Sequence, residues 1–167
     1  MYKRQVISLG LFLLYVQRSI DTNSQKAMTS NVAKQSDHAL SILNIHYGFL
    51  NSIADKMGDS SDILSDENME LLVSLAANTD FERTALIEAD GTAYYDNGAI
   101  KNVAQRKYFL EAMKGQATLS DPLDSSIDQE TRVILCVPVR CNGRIIGALG
   151  GSYNVTALSP MLFNDIF

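Results

Sequence analysis

Asn102 to Tyr153 reads NVAQRKYFLEAMKG (102–115), QATLSDPLDSSIDQETR (116–132) and VILCVPVRCNGRIIGALGGSY (133–153). The pattern is a short amphipathic helix, a loop, and two apolar strands joined by a tight turn. Asn142-Gly143 between apolar runs is a strong hairpin signal, because a type I′ turn needs positive φ at both central residues. Pairing Cys141 with Arg144 sets Val139 opposite Ile146, Val137 opposite Ala148, Leu135 opposite Gly150 and Val133 opposite Ser152. On the other face Cys136 meets Leu149 and Ile134 meets Gly151. Both faces are largely apolar, which predicts a central hairpin covered on two sides. Gly147, Gly150 and Gly151 have two readings: room for a ligand, or tight packing against a helix.

In the helix before the hairpin, Asn102 is the expected N-cap, with Gln105 completing a capping-box-like pair. Gly115 is placed to end it in the left-handed conformation. Phe109, Ala112 and Met113 share one side, which Arg106 borders. A guanidinium there suits a carboxylate or phosphate, and the helix N-terminus adds to that preference. The alternative is an arginine whose stem covers apolar surface while its head stays in water.

The chain has 167 residues and a net charge of −5, which fits one domain and argues against a nucleic-acid partner. Two cysteines, Cys136 and Cys141, are too few for a disulfide framework or a zinc site. Their odd spacing along one strand points them to opposite faces. His38 and His46 have no metal-ligand neighbours, and no cofactor motif occurs. No nucleophile elbow, His-Glu-x-x-His or phosphate loop is present, so this chain is not expected to be an enzyme.

Val6 to Val16 is an uncharged apolar run preceded by Lys3 and Arg4. It is about half the roughly 20 residues a membrane span needs. The expected reading of residues 1–16 is a partial transmembrane or anchor segment, with a buried core helix as the alternative. Residues 17–57 carry Met28, Val32, Ala39, Leu43, His46, Leu50, Ile53 and Met57 at spacings of three, four or seven, a long amphipathic helix. Its polar early turns are expected near the membrane or against a second copy, giving a homodimer; its later turns cover the domain. Ser65 is the expected cap of a second helix that ends near Asn78 and has Met69, Leu72, Val73, Leu75 and Ala76 on a broad apolar face.

Arg83 to Ala89 and Thr92 to Asp96 read as strands around an Asp90-Gly91 turn, and Thr118 to Ser120 as a short strand. The expected fold is α+β: a long N-terminal helix on an antiparallel sheet of five strands. Residues 58–160 are expected to form the domain, and 161–167 to begin a link to a further C-terminal part.

Three stretches in this order resemble the extracytoplasmic Cache domains of bacterial transmembrane receptors, which are PAS-like in fold. They are LIEADG at Leu86–Gly91, QRKYFLEAMKGQATLSDPL at Gln105–Leu123 and VILCVPVRCNGRIIGALGGSYNVTAL at Val133–Leu158. The resemblance implies the membrane-distal module of a double-Cache sensor, ahead of a cyclase, kinase or chemotaxis output. It implies a small-molecule pocket between the sheet and the Arg-x-Tyr-Phe helix, with Arg106, Tyr108, Asp121 and Ser152 lining it and Tyr94 or Tyr95 beside them. Members that bind amino acids carry an aromatic five residues before the arginine, a Trp two after it and an Asp in the last strand. Lys101, Tyr108 and Ser152 stand there instead, so an anionic ligand is expected over a free amino acid. The competing class is a membrane-anchored, pilin-like or adhesion subunit, which also runs from a hydrophobic start into a long helix.

Overall fold

The computed structural model describes residue 41 and residues 43–124 and 131–154. The anchor run, the early turns of the long helix and the link at 161–167 lie outside the described residues. The elements are α1 (43–57), α2 (Asp66–Ala77), β1 (Arg83–Glu88), β2 (Thr92–Tyr95), β3 (Ile100–Asn102), α3 (Lys107–Met113), β4 (Thr118–Leu119), β5 (Leu123–Asp124), β6 (Thr131–Cys141) and β7 (Arg144–Asn154).

All strand pairs are antiparallel, in the order β3-β2-β1-β7-β6-β4, with β5 also on β6. The five expected strands are contiguous in this sheet, as β2-β1-β7-β6-β4. Two short strands add to them. Asn97-Gly98, with Gly98 at φ 80°, turns the chain back into β3 along β2, and β5 extends the loop after Pro122 along β6.

The β6–β7 turn is as expected, with Asn142 at φ 51° and Gly143 at φ 78°. The register beyond it is not. A bulge between Val139 and Arg140 shifts every later pair by one, so Val139 meets Gly147, Cys136 meets Gly150 and Ile134 meets Ser152. A bulge puts one extra residue on one strand, a step that turn chemistry alone does not encode. The shift places Ser152 on the face of Ile134 and Cys136, not that of Leu135.

The sheet is covered on both faces. On one, Leu50, Ala54 and Met57 of α1 and Leu72 and Leu75 of α2 pack on Leu86, Leu135, Val137, Val139 and Leu149. The expected stripe of α1 is therefore the buried one. In α2 the apolar face is narrower than expected, and Val73 is half exposed. Ser65 caps α2 through Oγ, which accepts from the Asn68 N–H. Asn68 is buried and ties α2 back to the α1 turn, its Nδ2 donating to the carbonyls of Met57 (3.0 Å) and Ile63 (3.2 Å).

On the other face Tyr108, Phe109 and Ala112 of α3 pack on Ala85, Ile87, Ala93, Cys136 and Ala148. Small residues on the strands let this short helix sit close. The glycines divide accordingly. A Cβ at Gly147 would overlap the Ile87 carbonyl and Ile63, and one at Gly151 would overlap Phe81, so both serve tight packing on the α1 side. At Gly150, facing α3, the nearest atom to a Cβ would be 3.8 Å away, an ordinary contact.

Candidate ligand-binding site

The start of α3 differs from expectation in a way that shapes the site. Asn102 does not cap the helix. It ends β3, and its Oδ1 accepts from the Ala104 N–H at 3.1 Å in a local turn. Short Asn side chains bond their own backbone two residues on, and here that outcompetes capping. Arg106 takes the N-cap position in extended conformation, with no side-chain capping bond. Its guanidinium is thus not used on the helix end. At the far end Gly115, at φ 91°, closes a Schellman motif: its N–H reaches the Ala112 carbonyl (2.8 Å), and the Gln116 N–H reaches Glu111 (3.1 Å).

Between α3 and the β4–β5 segment lies a cleft of about 290 Å³, near the lower end of the usual range for small-molecule pockets. Arg106, Tyr108, Glu111, Thr118, Ser120 and Asp121 are among its lining residues. The outer wall is fixed by three bonds. The Thr118 hydroxyl donates to the Tyr108 carbonyl (3.2 Å), and Ser120 bonds Ile134 both through its N–H (2.8 Å) and through Oγ, which accepts the Ile134 N–H (2.9 Å).

Tyr108 is 6% exposed, and burial pushes its phenol well above the ordinary value, with Arg106 pulling weakly the other way. Burial raises Tyr95 too, again opposed by Arg106. Both hydroxyls are therefore protonated donors at neutral pH. Among the described residues no hydrogen bond engages the Tyr108 hydroxyl, and no fully buried side-chain oxygen or nitrogen lacks a partner. That hydroxyl is therefore not fully buried, and its residue lines the cleft. Arg106 likewise has no ion pair or side-chain hydrogen bond among the described residues. Glu111 is held by Lys114 at 2.8 Å. The charges left facing the cleft are Arg106 and Lys107 against Asp121.

Of the six residues expected at the site, Arg106, Tyr108 and Asp121 come together in this cleft. Tyr95 lies on the same sheet face, close enough to Arg106 and Tyr108 for their charges to interact. Ser152 and Tyr94 do not line it. The Ser152 hydroxyl donates to the Arg83 carbonyl at 3.3 Å, along the β1–β7 seam. Tyr94 pairs with Leu86 on the opposite face, and its phenol is raised chiefly by a hydrogen bond to Glu88. Glu111, Thr118 and Ser120 were missed by sequence reasoning. Glu111 stands one helical turn beyond Tyr108, and Ser120, just past β4, is two residues from Thr118, so both periodicities pointed to them.

No family profile matches the chain, and no curated protein is detectably similar in sequence. Solved structures are similar. The ligand-binding domain of the Pseudomonas aeruginosa amino acid chemoreceptor PctC, in complex with GABA, superposes with a TM-score of 0.70 at 16% identity, covering 84% of this chain and 68% of that one. The sensory domain of the Campylobacter jejuni chemoreceptor CcmL, with isoleucine bound, gives 0.70 at 12%, covering 89% and 66%. The ligand-binding domain of the Pseudomonas fluorescens chemoreceptor CtaA, in complex with L-alanine, gives 0.71 at 16%, covering 83% and 63%. The chain thus spans about two thirds of the length of these domains. With its antiparallel sheet covered by helices, it shares the α+β, PAS-like fold of these ligand-binding sensory domains.

Proposed function

We propose that the chain is the ligand-reading module of a membrane-anchored bacterial receptor, held outside the cytoplasm, and that it binds a small molecule carrying an anionic group. The observation that carries this reading is that Arg106, with an unengaged guanidinium, and Tyr108, with an unbonded hydroxyl, line one cleft. A guanidinium fork and a neutral phenol are both donors, and together they suit a carboxylate. Asp121 is the remaining free carboxylate, and it selects against ligands with a second negative group on that side. The likeness to chemoreceptor domains supports the sensory role. The apolar run at Val6–Val16, after Lys3 and Arg4, supports the anchor, and the polar early turns of the long helix support pairing with a second copy.

The test is thermal shift of the full chain against a panel of mono- and dicarboxylic acids, hydroxy acids and amino acids. A carboxylate is expected to raise the melting temperature of the wild type. Arg106→Ala should lose about 1.5–3 kcal/mol of affinity for it, the range for hydrogen bonds to charged groups. Equal binding by both proteins would reduce Arg106 to a surface residue.

A further inference from the structure

The face opposite α3 carries a second concavity, between α1 and the segment joining α2 to β1. It has a volume of about 270 Å³. Its floor is aromatic. Phe81 and Tyr153 lie with ring centroids 4.6 Å apart, and His46 packs 5.2 Å from Tyr153. Phe49, 46% exposed on α1, forms a wall, and Ile45 at 66% exposure extends it.

The polar groups at this cleft leave acceptors unused. The Tyr153 hydroxyl is taken by His46 Nδ1. Thr79 Oγ1 donates to the Leu75 carbonyl and accepts the Phe81 N–H. Asn78 commits its amide nitrogen to Ser74, which leaves its oxygen. The Asp80 carboxylate has no ion pair or hydrogen bond among the described residues. Among the described residues no Lys or Arg lines the cleft. Phe81 and Tyr153 are buried, which leaves Phe49 as the exposed ring; its negative face and the free acceptor oxygens favour positive charge.

We propose that this cleft is a second small-molecule site, for an organic cation such as a substituted ammonium. The charged head lies beside Asp80 and against the exposed Phe49 ring, and the apolar part lies along Ile45. This site is across the sheet from Arg106 and of opposite charge preference. It does not rest on the reading of the first cleft.

The test uses the full chain, titrated with choline and with its neutral isostere 3,3-dimethylbutan-1-ol, followed by amide NMR shifts and calorimetry. Choline should perturb residues around 45–49, 78–81 and 153, and the neutral alcohol should not. Phe49→Ala and Asp80→Asn are exposed changes that keep the fold, and each should weaken choline about threefold. Combined, they should weaken it about tenfold, and Arg106→Ala should leave it unchanged. Equal binding of the alcohol, unchanged affinity in the double variant or no choline binding would overturn the proposal. So would a Phe49→Ala protein whose only change, by sedimentation, is weaker self-association.

Discussion

Cys136 and Cys141 share a strand but not an environment. Cys136 is fully buried beneath α3, and burial pushes its thiol up to about 12; Cys141 is part-exposed at the turn. A maleimide should therefore label Cys141 in the native protein and Cys136 only after unfolding. The same burial sets an alkaline limit. The folded value lies above the unfolded 9.0, so stability is full below about pH 9 and falls as pH rises from there towards 12. Tyr47, also raised to about 12 by burial, adds to the same limb from its ordinary 10.0. Cys136→Ala should flatten the onset near pH 9 in melts taken from pH 7 to 11; an unchanged onset would contradict the assignment. At this scale the sequence was partly readable. Arg106, Tyr108 and Asp121, expected from the family pattern, line one cleft. Ser152 was misplaced on its face by one bulge, and Asn68, a polar residue on an apolar face, showed its role only once the Met57 and Ile63 carbonyls were in place.

Element by element, local chemistry was the better guide. Asn142-Gly143, Ser65 and Gly115 each did what their dihedral or capping preferences require. Asn102 departed because an asparagine has two local uses, and β3 selected the turn. The three glycines of β7 could not be separated by sequence, since their difference lies in what stands across from them. The structure separates them sharply. Gly151→Ala would drive a methyl into the Phe81 ring and should cost about 1–3 kcal/mol, the range for overpacking a filled core. Gly150→Ala meets ordinary contacts and should change stability far less. Urea melts of the two variants decide this, and equal destabilisation would place the packing argument in error.

Across the whole molecule, one sheet separates two layers. α1 and α2 cover one face, and α3 covers the other together with the Arg106 cleft. α1, at 43–57, packs on the core through Leu50, Ala54 and Met57. Among the described residues no helix is long and apolar enough to cross a membrane, and the proposed anchor is the apolar run Val6–Val16 of the sequence. Reporter enzymes fused after Phe167 should be active only when exported, and activity confined to the cytoplasm would sink the proposed orientation. Fold class was legible in the sequence because hairpin turns and helix stripes are local; the ligand was not, since cleft chemistry depends on which donors are left unpaired after folding. Amide NMR mapping of the panel's best acid tests the account most directly. Shifts concentrated at residues 105–111 and 118–121, and abolished by Arg106→Ala, are the expected result. Shifts centred on α1, or unaltered by the substitution, would contradict it.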